Sequence, residues 1–309
     1  MAPSGMLTLD DLKGNPRRSA TERTVKRVLF AAGVVSVLIS ALIVFSLVRE
    51  AWAFLSTVEV AKLWDFGWFP RRGVFDVRTL VIGSLMVTLI AMVVAGPIGL
   101  GTAIFLSEYA RPGVRRVLKP VIEVLAGVPS VVVGYFALTV ISPDVVQQLS
   151  PTAPQFNLLA AGIGVGVLTI PLVASVSEDA LRSVPSSLRE ASYGLGARKV
   201  TTSVRVVVPA AVSGLVAALI LAVSRAIGET MVVAIAAGAT GGGTYSVNPL
   251  EKGQTMTAAM AAVASGTDNV AGQGNAYQSL FFVGLLLFVI TLTLNVVAGR
   301  FVRRVRQKY

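Results

Sequence analysis

The sequence contains no cysteine and no histidine among its 309 residues. Without cysteine there is no disulfide and no thiol nucleophile. Without histidine the imidazole base and the usual zinc and haem ligand sets are missing too. Charge is also sparse: Asp, Glu, Lys and Arg make up 14% of the chain against 54% hydrophobic residues, with a mean hydropathy of +0.74. Soluble domains carry about a quarter charged residues, so this composition points to an integral membrane protein. A metal site would need carboxylates, and most of the acidic residues lie in polar stretches between apolar runs. Catalysis by this chain alone is not expected, nor is a cofactor bound to it.

What is present is a set of long apolar runs. A bilayer core of about 30 Å takes about 20 apolar residues as helix, and six runs qualify: 28–48, 80–106, 121–141, 158–176, 210–238 and 279–297. The expectation is an all-α integral membrane fold with six transmembrane helices. The net charge of +11 does not indicate nucleic acid, because the basic residues sit mainly in short loops, where they report topology. Of the 27 Lys and Arg residues, six crossings put twenty on one side and six on the other, leaving Arg225 inside a span. The basic side is expected to be cytoplasmic, with both termini there. Five basic residues in the first outer loop run against this trend. The first run resembles a signal peptide, with Ala51-Trp52-Ala53 as a cleavage site, but it is longer than the 7–15 residues or so of a signal core and Arg49-Glu50 interrupts it. It reads as an uncleaved helix. The organisation expected is a basic cytoplasmic arm at 1–27, a first transmembrane helix at 28–48, an outer loop at 49–79, a core of five helices at 80–304 and a cytoplasmic tail at 305–309.

Arg225 and Glu229 lie in the fifth run, within SRAIGETMVVA. Each ionised side chain at mid-bilayer costs about 2.5–3.5 kcal/mol on insertion scales. Spaced four apart on a helix, the two share a face and can neutralise each other. Replacing both with Leu would remove the cost, so their presence suggests a task. One reading is a gate or pathway in which Arg offers a planar fork to an oxyanion and the carboxylate keeps binding weak enough for release. The other is a structural ion pair that docks the helix. Gly96-Pro97, Pro129 and Pro171 are expected to kink or break the second, third and fourth spans, as static shape or as hinges. Ser130 then exposes a hydroxyl beside the backbone that Pro129 frees. In the outer loop, 254–265 reads as a short helix of small residues, either re-entrant or on the surface. The stretch GATGGGTY at 238–245 has two glycines at phosphate-loop spacing, but Thr244 stands where Lys is required, so no nucleotide is expected there.

A polar loop at about 177–208 joins the fourth and fifth spans. Ser187 and Glu190 have capping-box spacing, so a short helix begins there or a turn earlier at Pro185. Leu188, Ala191 and Leu195 fall on one side of it, and Gly194 and Gly196 supply its stop. By the residues alone this is either an ordinary connection or a compact docking knob. Glu190-Ala191-Ser192, three residues, Gly196, nine residues, then Val206-x-Val208-Pro209 resembles the EAA motif of ABC importer permeases. Ser192 stands for the second Ala of that motif, and Val206 and Val208 for its Ile and Leu. Three further stretches, AIFLSEYARP (103–112), EVLAGVPSVVVGYFAL (123–138) and RAIGETMVVA (225–234), resemble the phosphate-importer permeases, more in their PstC form than in the partner PstA form.

The resemblance implies a type I ABC importer (MetI-like) permease fold in a prokaryotic plasma membrane, with inorganic phosphate as the transported solute. It implies that the loop bearing Ser187, Arg189, Glu190, Ala191, Ser192, Gly196 and Pro209 docks on a cytoplasmic ATPase and transmits its movement. It places Arg225, Glu229, Thr230 and Ser130 in the translocation region. The partners implied are a PstA-like second permease, a homodimeric PstB-like ATPase that binds ATP and Mg, and an outer PstS-like phosphate-binding protein, in addition to membrane lipid. Two alternatives stand beside it: a permease for another oxyanion such as sulfate or molybdate, and an ion-coupled secondary anion transporter. The second needs a coupling site of its own, for which Glu229 is the one carboxylate well inside an expected span, and it leaves the EAA-like loop unexplained.

Overall fold

The computed structural model describes residues 16–238, 242–266 and 274–305, with side chains described except at 16–20, 274 and 305. Most of the expected basic arm, residues 239–241 within the GATGGGTY stretch and the expected tail from 306 lie outside the described residues. The chain divides into two units, Met1–Arg49 and Glu50–Tyr309. Helix α1 (Pro16–Thr57) begins in the first and ends in the second, running unbroken through the expected boundaries at 27/28 and 48/49. Val28, Phe30, Val37, Leu42 and Phe45 on it are all exposed, on several faces of the helix. A helix apolar all round is one whose solvent is lipid.

In the second unit, the expected outer loop is a small folded cap. Strands β1 (Trp68–Phe69) and β2 (Val74–Phe75) pair antiparallel, with Trp68 opposite Phe75. Gly73, at φ 73°, makes the left-handed turn between them. Phe54 meets Phe75 edge-on at 5.0 Å between ring centroids and stacks on Phe282 at 5.2 Å. The cap is held by one carboxylate: fully buried Asp76 accepts from the Gly67 N–H, the Arg78 N–H and the Thr79 hydroxyl at 3.3, 3.2 and 2.7 Å. These bonds also cap α2 (Val77–Ile104).

Among the described residues, five helices are long and apolar enough to cross a membrane: Thr21–Thr57, Val77–Tyr109, Ser130–Leu149, Leu158–Arg182 and Asn275–Arg304; the pair Lys199–Ala210 and Val212–Ile227, bent by 71°, makes six if it counts as one broken span. The expected third span at 121–141 is displaced. Residues 112–125 form a separate amphipathic helix, α3 (Pro112–Leu125), and the spanning helix α4 starts at Ser130 and continues through a π-helical stretch to Leu149. The apolar residues at 121–125 belong to one face of α3, and the turn at Gly127–Pro129 separates the helices. Pro129 therefore caps α4 rather than kinking it.

The centre of this unit is the parallel pair α2 and α5 (Leu158–Arg182). Between them, glycines face large side chains in register. A β-carbon on Gly162 would come within 2.7 Å of Ile90, one on Gly166 within 2.8 Å of Val94, and one on Gly99 within 2.6 Å of Val173. Close approach through small residues is how helices associate when lipid gives no hydrophobic drive between them. At Gly96-Pro97 and Pro171, where a kink or a break is expected, both helices continue without a break. The Gly99–Val173 contact lies two residues beyond each proline, so the packing holds both helices across the lost hydrogen bonds.

Candidate functional site

The fifth span is not the single helix 210–238 that the apolar run suggests. Helix α8 (Val212–Ile227) stops at Gly228, and a short helix α9 (Met231–Ala236) begins after Thr230. Arg225 is in the last turn of α8 and Glu229 lies beyond its end, so the four-residue helical register between them is lost. Arg225 is exposed and makes no ion pair with Glu229 or any other carboxylate among the described residues. The expected pairing is absent because the helix ends between its two members. Glu229 is half-buried, and among the described residues its side chain reaches only the Val232 N–H, at 3.5 Å. Its carbonyl accepts the Thr257 hydroxyl at 2.7 Å. Thr230 turns its own hydroxyl to the Gly228 carbonyl at 3.3 Å, and Ser130 is half-buried at the first residue of α4.

Thr257 belongs to α10 (Met256–Ala264), which falls within the expected short helix at 254–265. It is packed into the protein rather than lying on the surface: Met256, Ala258 and Ala259 are fully buried. The Met256 N–H donates to the Ser84 hydroxyl at 3.0 Å, and Gly83 lies directly against the Gln254 carbonyl, where a side chain would collide. The segment thus enters beside α2 and supports the break in the fifth span.

At the other end of α2 and α5 lies the EAA-like loop. Helix α6 (Ser186–Gly194) starts after Pro185, without the capping-box bond expected from Ser187 and Glu190. Its end is as expected. Gly196 sits at φ 77°, its N–H bonds the Tyr193 carbonyl at 2.9 Å, and the Ala197 N–H bonds the Ser192 carbonyl at 3.1 Å. This is the glycine-dependent Schellman ending. Of the three apolar residues expected on one side, Leu188 is half-buried, while Ala191 and Leu195 are exposed, the latter at 90%. Tyr193, Val200 and Val204 are exposed as well. Beyond them, the Val208 N–H reaches back to the Ser203 carbonyl in a π-turn that enters the bend at Pro209.

The inner side of α6 is fastened by charge. Arg189 donates to the Leu181 and Val184 carbonyls at 2.9 and 2.7 Å, and to buried Glu108 at 2.9 Å. One guanidinium thus joins α6 to the end of α5 and to the π-turn that follows α2. Ser192, buried on the same helix, shares a hydrogen bond with Thr202 at 2.9 Å. Glu190 is exposed and takes no part in this fastening.

Beside it is a second centre that the sequence reading missed. Glu178 is fully buried in the last turns of α5 and holds Arg115 at 2.7 Å and Lys119 at 2.6 Å, both from α3, with Arg182 at 3.9 Å. Lys119 also reaches Asp179 at 2.7 Å. Burial opposes the charge on Lys119, but the bonds to Asp179 and Glu178 outweigh it and hold the amine above the ordinary lysine value. Its contribution to stability is complete below pH about 10.5 and is lost only as pH rises through the raised value. The tie therefore persists throughout the neutral range. The local signal was the Glu178–Arg182 spacing at the end of the fourth span.

Residues 95–307 match the family described as "Binding-protein-dependent transport system inner membrane component". The chain is 36% identical over 222 residues to the "Probable ABC transporter permease protein YqgH" of Bacillus subtilis, covering 72% of this chain and 69% of that one. It is 30% identical over 320 residues to the phosphate transport system permease protein PstC of Mesorhizobium japonicum, covering 93% and 95%. It is 33% identical over 256 residues to PstC 1 of Mycobacterium tuberculosis, covering 76% and 75%. Among solved structures, a chain of a bacterial ABC transporter for alginate import superimposes with a TM-score of 0.64 at 13% identity, over 94% of this chain and all of that one. A chain of the inward-facing MetNI methionine transporter gives 0.54 at 21% identity, over 78% and 97%. The fold is that of a MetI-like type I ABC importer permease. The chain is a multi-pass membrane protein that belongs to the binding-protein-dependent transport system inner membrane component family, a family of ABC transporter permeases and not of enzymes.

Proposed function

We propose that this chain is a permease subunit of an ATP-driven importer of inorganic phosphate, set in a prokaryotic plasma membrane with both termini cytoplasmic. The observation that carries the reading is its likeness, over 93% of its length, to a permease named for phosphate transport. Arg225 adds a physical reason. An exposed guanidinium at a helix break inside an apolar span is costly against lipid, so its surface faces a polar path shared with a second, PstA-like permease. There it offers a fork that fits an oxyanion. Glu229, free of Arg225 across the break, keeps the bound anion loosely held. Thr230 and Ser130 supply hydroxyl donors to the same path.

Energy comes from ATP and Mg on a homodimeric PstB-like ATPase that docks at α6. Leu195, Tyr193, Val200 and Val204 present it with an apolar surface. Arg189 then carries its movement to α2 and α5 through Glu108 and the two carbonyls. A PstS-like binding protein delivers phosphate from the outer side. Purification through a tag on this chain from its native cells, followed by uptake of labelled phosphate and labelled sulfate in liposomes, tests the reading. An ABC ATPase and a second permease should co-purify, and phosphate should be taken up in preference to sulfate. A solitary chain that transports without ATP would refute it.

The docking role makes a prediction at Gly196. No atom lies within 4 Å of a β-carbon built there, so substitution strains the backbone alone. Gly196→Val should cost about 1–2 kcal/mol in the left-handed region and uncouple ATP hydrolysis from uptake. Gly196→Asn, which tolerates that conformation, should stay coupled. Equal behaviour of the two variants would remove the helix ending from the coupling mechanism.

A further inference from the structure

We propose that the cleft between α3 and the end of α5 is a headgroup site for an anionic phospholipid. Two independent observations meet there. On α3, Val114, Val117, Val121 and Val124 are exposed by 43, 63, 50 and 73%. Their spacing of three and four residues puts them on one face. A bare apolar stripe on an otherwise charged helix is the pattern of a helix lying in the membrane interface.

The second observation is the cleft itself, about 500 Å³, lined by Arg115, Arg116 and Lys119 of α3, Arg182 of α5 and Ser107. Glu123 is the one carboxylate among its lining residues. Arg115 and Lys119 are committed to Glu178, at 2.7 and 2.6 Å. Arg116 makes no ion pair among the described residues, and Arg182 reaches Glu178 only at 3.9 Å. Two guanidinium groups therefore remain for an anion, and guanidinium is the side chain that best fits a phosphate group.

A soluble phosphate would answer the cations but leave the valine face bare. A neutral lipid would do the reverse. An anionic phospholipid satisfies both at once, its phosphate in the cleft and its acyl chains along the valines. The inference requires α3 to lie at a membrane surface, but it does not depend on which solute is transported.

The test uses the assembled complex, purified through a tag on this chain in neutral detergent and titrated with phosphatidylglycerol under native mass spectrometry. Juxtamembrane basic residues each contribute about fivefold to binding of anionic lipid. The double variant R116Q/R182Q should retain phosphatidylglycerol at least about tenfold more weakly than the wild type. R300Q/R304Q, which loses the same charge elsewhere at the membrane surface, should weaken retention clearly less than R116Q/R182Q does. Equal loss in both double variants would make the attraction diffuse and overturn the site. So would an absence of retained lipid in the wild type. Inorganic phosphate at millimolar concentration forms a separate arm: if it displaces the lipid and raises the thermal midpoint of the wild type but not of R116Q/R182Q, the cleft is a soluble-phosphate site and the lipid assignment fails. If the double variant does not assemble, R116Q alone, at an exposed and unpaired position, should weaken retention about fivefold, and unchanged retention would refute the proposal.

Discussion

Arg225→Gln should lower phosphate uptake by about ten- to a hundredfold while leaving assembly and thermal stability close to wild type. The size follows from losing one charge-assisted hydrogen bond to the passing anion, about 1.5–3 kcal/mol. The stability expectation comes from the structure. Arg225 is exposed and holds no carboxylate among the described residues, so its removal orphans none of them. A buried ion pair with Glu229 would have predicted the reverse, a loss of folded protein. Arg225→Lys should recover uptake only in part, since an ammonium keeps the charge but loses the two-pronged geometry. Glu229→Gln should hold the anion longer and slow release. Initial rates of labelled phosphate uptake, with ATP hydrolysis and yield measured on the same preparations, separate these cases. Normal uptake by Arg225→Gln would remove the residue from the path.

The largest stability effect is expected at Glu178. Glu178→Ala leaves Arg115, Lys119 and Arg182 facing one another without the buried carboxylate that holds them together. Breaking such a buried group costs about 3–5 kcal/mol and should release α3 from α5. Asp179→Ala is the control. It also removes a carboxylate bonded to Lys119, but that carboxylate is 66% exposed, and exposed pairs contribute about 1 kcal/mol or less. Thermal unfolding of the purified assembly should show a large drop for the first and a small one for the second. Equal drops would mean that general loss of negative charge, rather than the buried centre, holds α3 in place.

How much of this was legible in the sequence follows from the distance over which each feature is built. The apolar runs and the EAA-like spacing are local, and both the all-helical membrane character and the glycine-terminated helix at Gly196 could be read from them. The third span was misplaced because Val121 and Val124 add hydropathy without adding a crossing; the three- and four-residue spacing that joins them to Val114 and Val117 marked a separate helix face. Arg225 and Glu229 misled through their spacing, since the four-residue rule holds only inside a helix and Gly228 ends it. Glu108 and Glu178 were not legible as partners of Arg189, Arg115 and Lys119. They stand 59 to 81 residues away, and topology alone brings them together.

The glycine seam between α2 and α5 limits how this protein can move. In register, Ile90 rests on Gly162 and Val94 on Gly166. A slip of one helical turn in one direction would set Val94 against Ile170, and in the other Ile90 against Leu158. Neither direction offers a notch for both side chains at once. The two helices therefore tilt and turn as a single beam, and any motion that opens a path is left to the elements hung on its sides.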